Sequence, residues 1–331
     1  MNIFITGVNG FIGSSLARYL VKLGHRVSGS VRDSSDLSFL NDLHINSFTG
    51  TINDEDFLAR CFHEQEIIFH VAGLASDWGS KRAYYQTNVI GTMNVAQEAF
   101  RAGVKRLVFI SSTAVYGLMG YRYRTENDPR PTKNFPYAET KREAEDWLLS
   151  FAIENNFPIT IVQPANVFGP NDRTFFIKFA DGLKKGMVRF INQGNAWTCP
   201  TYIDNLTHAL WLAATHQDAV NETFIISDGL EINWRQFVEK ICRELAVPVP
   251  RVSLGFRLVY LISSIIELAY RMLPVPKEPP INRYRIRNFG IDYHFSIEKA
   301  KRVLDFSPHV DIDEAVRRTV QWYKEFREKK P

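Results

Sequence analysis

Tyr137 and Lys141 stand four residues apart in Tyr137-Ala138-Glu139-Thr140-Lys141, and none of the other twelve tyrosines has a lysine at that distance. On a helix this spacing puts both side chains on one face, where an ammonium beside a phenol lowers the phenol's pKa toward working pH. Such a phenol can exchange a proton with a hydroxyl or a carbonyl oxygen. A second set of residues suits a partner for that step. Gly7-Val8-Asn9-Gly10-Phe11-Ile12-Gly13 follows a short apolar run and opens an amphipathic one. Glycines there permit close backbone approach, and a helix start offers unpaired N–H groups to a pyrophosphate. The bland alternative is a tight turn between a strand and a helix. Ahead of an alternating β/α chain the loop reads as a dinucleotide site, so a proton moved by Tyr137 would accompany hydride exchange with a nicotinamide.

The elements that must position these residues follow from hydrophobic periodicity. Strand-length runs at Ile3-Phe4-Ile5, Arg26-Val27, Ile67 to His70, Leu107 to Ile110 and Ile159 to Val162 alternate with helical spacing at Phe11 to Leu23, Glu55 to Phe62, Tyr84 to Ala102 and Tyr137 to Glu154. That alternation predicts an α/β fold, a doubly wound parallel sheet of the Rossmann kind. After Pro164 the pattern breaks into shorter pieces rich in proline, glycine and aromatics. The expected organisation is a dinucleotide-binding domain over residues 1–164 and a smaller, mainly substrate-binding lobe over 165–331. The chain returns to the sheet between 200 and 227, with Thr223-Phe224-Ile225-Ile226 as the returning strand.

Composition excludes several classes. The 331 residues are 45% hydrophobic with a formal net charge of +4, enough for a large core, and no block of like charge marks a nucleic-acid footprint. Cys61, Cys199 and Cys242 are too few and scattered for a disulfide framework or a metal site, so no metal is expected and the thiols read as reduced. The N-terminus has no basic region ahead of an apolar stretch, and Leu258 to Ile266 falls far short of the roughly 20 residues of a spanning helix. The expected location is cytoplasmic, with no transmembrane segment, and a peripheral membrane contact is compatible with the sequence.

The GxxGxxG spacing resembles the short-chain dehydrogenase/reductase superfamily, and further blocks resemble its extended branch, the epimerase/dehydratase group. His70-Val71-Ala72-Gly73 is similar to the family's strand-end turn beside the cofactor, and Asn88 to the helix asparagine that braces it. Ile110-Ser111-Ser112-Thr113-Ala114-Val115-Tyr116-Gly117 resembles the strand end that supplies a catalytic hydroxyl, here Ser112, with Ser111 and Thr113 as alternatives. Tyr137 and Lys141 then correspond to the YxxxK pair. Pro164-Ala165-Asn166-Val167-Phe168-Gly169-Pro170 resembles the turn flanking the nicotinamide, although Gln163 stands where the family usually has arginine. The resemblance implies catalysis by Ser112, Tyr137 and Lys141. It implies cofactor contacts from Gly7, Asn9, Gly10, Phe11, Ile12, Gly13, Arg32, Thr51, Ile52, Val71, Ala72, Gly73, Asn88, Tyr137, Lys141, Pro164, Asn166 and Val167.

Cofactor choice is read at the end of the second strand, Ser28-Gly29-Ser30-Val31-Arg32-Asp33. Val31 occupies the position where an acid would accept the NAD ribose, and Arg32 follows it, which suits the phosphate of NADP; NAD is the alternative. Thr51-Ile52 replaces the family's common acid at the adenine. In the substrate lobe Thr198 stands where relatives that bind sugar nucleotides carry an arginine for the diphosphate. Tyr202-Ile203-Asp204-Asn205-Leu206, the apolar stretch Leu254 to Leu273, Arg283-Tyr284-Arg285 and Phe295 to Lys301 resemble the 3β-hydroxysteroid and sterol-carboxylate dehydrogenase branch. The two arginines read as a solvated strand edge. The apolar stretch reads as an amphipathic helix in the lobe core, with a substrate lid or lipid-facing surface as the alternative. The expected function is an NADP(H)-dependent oxidoreductase on a hydrophobic, steroid- or fatty-acid-like alcohol or ketone. The alternative is an NAD-dependent sugar-nucleotide epimerase or dehydratase, and a homodimer is compatible with either.

Overall fold

In the computed structural model, which describes residues 1–131, 135–273 and 278–329, seven strands form one sheet. They are β1 (Asn2–Thr6), β2 (Arg26–Val31), β3 (Asn46–Thr49), β4 (Ile67–His70), β5 (Arg106–Ile110), β6 (Ile159–Pro164) and β7 (Thr223–Ile226). Their order is β7-β6-β5-β4-β1-β2-β3, and every neighbouring pair is parallel. Parallel pairing requires crossovers, and helices cover both faces. Because side chains alternate along a strand, Ile3, Ile5, Val108 and Ile110 pack under α1 (Phe11–Lys22). Phe4, Ile68, Leu107 and Phe109 pack on the opposite face, against α2 (Glu55–Phe62), α3 (Gly91–Arg101) and α4 (Pro136–Asn155). α5 (Ile203–Thr215) joins the α1 side. β1 lies between β2 and β4, so successive crossovers leave it in opposite directions. A crevice therefore opens at the carboxyl ends of β1 and β4.

Two differences from the periodicity have local causes. β3 is exposed throughout and carries a single apolar residue, Phe48, so no hydrophobic alternation announced it; its pairing with β2 holds it in place. The helical segment predicted from Tyr84 begins at Lys81, where the Ser80 hydroxyl accepts from the Ala83 amide at 3.2 Å, and a π turn interrupts it at Gln86–Ile90.

The remaining chain builds over the carboxyl end of the sheet. Here Arg283 and Arg285 are not a strand edge. They open α7 (Arg283–Gly290), which follows α6 (Phe256–Met272). Arg283 pairs with the buried Glu267 of α6 at 2.8 Å, and Arg285 pairs with Asp77 and with Glu278. α6 also departs from the lobe-core expectation. It buries Val259, Ser263 and Glu267, and turns Leu258, Leu261, Ile265, Leu268 and Met272 to solvent. Among the described residues no helix is long and apolar enough to cross a membrane.

Candidate active site

The glycine loop is shaped by backbone contact. Gly7 has φ +69°, and a Cβ there would lie 3.1 Å from the Ala72 Cα; a Cβ on Gly13 would lie 2.4 Å from the Gly7 carbonyl oxygen. A side chain at Gly13 would push α1 off the loop, and one at Gly7 would press on the turn after β4. Gly10 caps α1 without any side-chain hydrogen bond, so no cap covers the first helical N–H groups, at Phe11, Ile12 and Gly13. Asn9 sits half-buried at the tip of this loop. The cradle fits a pyrophosphate, which needs close backbone approach and the positive end of a helix.

The cradle is joined to the predicted catalytic residues through β4. Ala72 touches Gly7, and a Cβ on the next residue, Gly73, would meet the Asn88 Oδ1 at 3.3 Å and the Lys141 Nζ at 3.4 Å. Asn88, in the π turn, accepts from the Leu74 amide at 2.8 Å and donates to the Thr140 hydroxyl at 3.2 Å. It ties the turn after β4 to α4, and the extra residue of the π turn aims its amide there. Val71 is half-buried beside Ala72.

Ser112 lies two residues beyond β5, at the start of a 3-10 turn, and its hydroxyl hydrogen-bonds the Tyr137 phenol in the first turn of α4. Lys141, one turn further on, donates to the Ile110 carbonyl at 2.8 Å and lies 4.5 Å from the Phe109 ring centroid. The structure therefore brings together Ser112, Tyr137 and Lys141, but not with the expected electrostatics. Burial pushes the Tyr137 phenol up to about 12, with the Ser112 hydrogen bond pulling the other way. Burial also pushes the Lys141 ammonium down to about 8, opposed by the Glu145 carboxylate. The ammonium donates to the strand end, and the net shift of the phenol is upward. The phenol as found is a proton donor. Thr113, one alternative hydroxyl, is engaged by the Pro164 carbonyl at 3.2 Å and the Tyr293 hydroxyl at 2.7 Å. Ser111 is buried beside Glu145.

Two buried networks beneath the site escaped the sequence reading. In the first, the Ala72 amide donates to the Thr6 hydroxyl at 3.1 Å, and Thr6 meets His70 Nδ1 at 2.8 Å. His70 Nε2 meets the Thr92 hydroxyl at 3.0 Å, and Thr92 donates to the Asn88 carbonyl at 2.7 Å. The direction of the last bond requires Nε2 to carry the proton and Nδ1 to accept, a neutral imidazole. Burial, with Lys141 nearby, pushes its pKa down to about 3. His70 thus positions the turn after β4 without titrating in the neutral range. In the second network Glu145, one turn beyond Lys141, accepts from Gln163 at 2.9 Å and from Arg130 at 2.6 Å, while Tyr116 donates to Gln163 at 3.0 Å. Arg130 comes from the loop before α4 and places a guanidinium on Glu145, while Gln163 occupies the end of β6. The i, i+4 spacing from Lys141 was the available signal for Glu145; nothing local marked Arg130.

At the outer edge of the crevice Arg32 is exposed at the end of β2 and, among the described residues, makes no ion pair; Val31 is buried in the core. Thr51 is exposed, and Ile52 is buried with its carbonyl accepting from Asn94 at 3.2 Å. On the other side Asn166 donates to the buried Thr198 hydroxyl at 3.2 Å, and Val167 pairs with Thr201. Near Tyr137, Tyr284 of α7 packs edge-on against Phe135 at 5.1 Å.

Residues 3–227 match the NAD dependent epimerase/dehydratase family. The chain is 28% identical to 2-alkyl-3-oxoalkanoate reductase of Stenotrophomonas maltophilia, over 96% of this chain and 98% of that protein. It is 26% identical to sterol-4-alpha-carboxylate 3-dehydrogenase, decarboxylating, of Mus musculus, over 98% and 92%. It is similar in structure to UDP-glucose 4-epimerase with UDP-glucose from Thermotoga maritima, with TM-score 0.80 and 25% identity over 98% of this chain and 99% of that one.

Proposed function

Since the chain belongs to the NAD dependent epimerase/dehydratase family and is an NAD(P)-dependent enzyme of the extended short-chain dehydrogenase/reductase type, on its 3β-hydroxysteroid dehydrogenase-like branch, we propose that it interconverts a ketone and a secondary alcohol on a hydrophobic substrate. The observation that carries this reading is the hydrogen-bonded Ser112–Tyr137 pair beside a glycine cradle that only backbone fills. The bound nicotinamide would supply or take up the hydride. Residues Gly7 to Gly13 would hold the pyrophosphate, with Val71 to Gly73 and Pro164 to Val167 flanking the ring side. Tyr137 keeps its proton at neutral pH and gives it to the carbonyl oxygen, while Ser112 hydrogen-bonds that oxygen and fixes its position. Lys141, one helical turn beyond Tyr137 and held by the Ile110 carbonyl, would lend its positive charge to the tyrosinate left after transfer. Ketone reduction is thus the direction for which the resting protonation state is suited.

Support for a hydrophobic substrate comes from the Phe135–Tyr284 ring pair near Tyr137 and from Thr198, whose hydroxyl is committed to Asn166 where a diphosphate clamp would need a cation. Hydrophobic 3-oxo compounds are expected to drive NADPH oxidation followed at its nicotinamide absorbance, and UDP-sugars to leave it unchanged. Micromolar binding of a UDP-sugar by calorimetry would instead favour epimerase or dehydratase chemistry.

Support for NADP comes from the exposed Arg32 guanidinium and the absence of a carboxylate at Val31. A charge-assisted bond from Arg32 to the 2′-phosphate predicts NADPH binding roughly tenfold or more tighter than NADH. Arg32→Ala should weaken NADPH alone, and salt should reduce the wild-type preference. Fluorescence titration of both reduced cofactors decides this. Tighter NADH binding would assign the ribose to Asp33, the next residue.

A further inference from the structure

α6 presents the largest run of exposed apolar side chains in the described structure. Leu258, Leu261, Ile262, Ile265, Leu268 and Met272 recur at intervals of three and four, and are 41% to 73% exposed. They form one stripe along the helix. The opposite side is committed: Val259 packs with Ile286 and Ile191, and Glu267 binds Arg283 of α7. The stripe therefore faces solvent because the helix is anchored by its other face. Leu254, two residues before the helix on a short strand paired with Phe190–Ile191, is exposed as well.

We infer that this stripe is a docking face for an anionic phospholipid surface, on which α6 lies parallel to the membrane plane. Charge selects that occupant. Between residues 251 and 273 the exposed charges are Arg251, Arg257 and Arg271, and the one acid, Glu267, is buried and neutralised by Arg283. A stripe of large apolar residues rimmed by arginines matches an interface of acyl chains under anionic headgroups. A second copy of this chain is the poorer partner, since a two-fold contact through the stripe would bring the arginine rims together. The packed inner face, with its buried Glu267 paired to Arg283, fits a helix that lies on a surface and not one that spans it.

The position of the stripe gives the docking a use. Arg271 stands 5.6 Å from the Trp78 ring, in the loop that follows Gly73, and α7 carries Tyr284 onto Phe135 beside Tyr137. α6, the helix that would touch lipid, is thus tied through Glu267–Arg283 to the helix that carries Tyr284 toward the phenol. The docking itself requires neither cofactor nor Tyr137, so it stands or falls separately from the proposed reaction.

The test is flotation of the full chain with vesicles of phosphatidylcholine alone or mixed with phosphatidylglycerol. The expected result is co-flotation with the phosphatidylglycerol mixture at low salt, reduced at high salt and weaker with phosphatidylcholine alone. The double variant Leu261→Glu, Ile265→Glu should lose at least about tenfold in partitioning while its melting temperature and NADPH affinity stay unchanged, both sites being exposed. Arg257→Gln with Arg271→Gln should flatten the salt dependence. Absence of wild-type flotation would overturn the inference, as would flotation that survives the double variant. A dimer in sedimentation velocity that the same variant dissolves, without vesicle binding, would assign the face to a second copy.

Discussion

Tyr137→Phe is expected to lower the rate of ketone reduction by roughly a hundredfold or more and to leave NADPH affinity almost unaltered. The substitution removes one oxygen from a ring whose packing it otherwise keeps, so the loss measures the proton and not the fold. Two observations bear on the size. The phenol is pushed up to about 12 by burial, so at neutral pH it carries the proton that reduction consumes. It is also the group that the Ser112 hydroxyl engages, so substrate oxygen and acid are addressed together. Single-turnover reduction at saturating NADPH, with affinity measured separately by fluorescence, distinguishes the two parameters. Retention of more than about a tenth of the activity would remove Tyr137 as the general acid. An affinity loss comparable to the rate loss would mean that the phenol binds the cofactor rather than the reacting oxygen.

Why the sequence disclosed some of this and not the rest is a matter of range. The strands β1, β4 and β5 and helices α1, α2 and α4 have their own periodicity, and a parallel sheet buried on both faces demands the apolar runs seen at Ile67–His70 and Arg106–Ile110. The glycine positions were legible for the same local reason, because a tight turn and a close contact need them wherever the chain goes next. The edge strand β3 was not, since its Asn-Ser-Phe-Thr sequence takes its geometry from β2 alone. The π turn at Asn88 was hidden because it occupies apolar helical pattern, and only the amide's bonds to Leu74 and Thr140 disclose its purpose. The orientation of α6 was also out of reach: amphipathicity states that one face is apolar, and not whether that face is inside. Here the anchoring pair Arg283–Glu267 and the contact with Ile286 settle which side is buried. Where the Lys141 ammonium bonds was hidden for a related reason. Helical spacing aligned it with Tyr137, but the Ile110 carbonyl, presented by β5, took the ammonium's hydrogen bond.

That diversion makes Lys141 the second residue whose replacement should have a large effect, and one whose signature is a pH dependence. The ammonium is almost fully buried and is pushed down to about 8, against the opposing pull of Glu145. In the unfolded chain a lysine titrates near 10.4. The folded pKa is the lower of the two, so between about pH 8 and 10.4 the unfolded form binds more protons and stability rises with pH by about 1.4 kcal/mol per unit. Below 8 the burial cost is present in full. Lys141→Met should abolish this rise in urea unfolding curves recorded across that window, and should cut turnover roughly a hundredfold by leaving the tyrosinate without its neighbouring cation. Glu145→Gln provides the complementary measurement. It removes the carboxylate that keeps the ammonium charged, so the basic limb of the turnover profile, expected near pH 8 in the wild type, should move to lower pH while the rate on the acid side is retained. Arg130, bonded to Glu145 at 2.6 Å, and Gln163, at 2.9 Å, hold that carboxylate in place, so an unmoved limb in Glu145→Gln could not be laid to a disordered carboxylate in the wild type. It would mean that the proton governing turnover does not reside on Lys141. A Lys141→Met enzyme that kept both its turnover and its high-pH gain in stability would exclude the lysine from the reaction altogether.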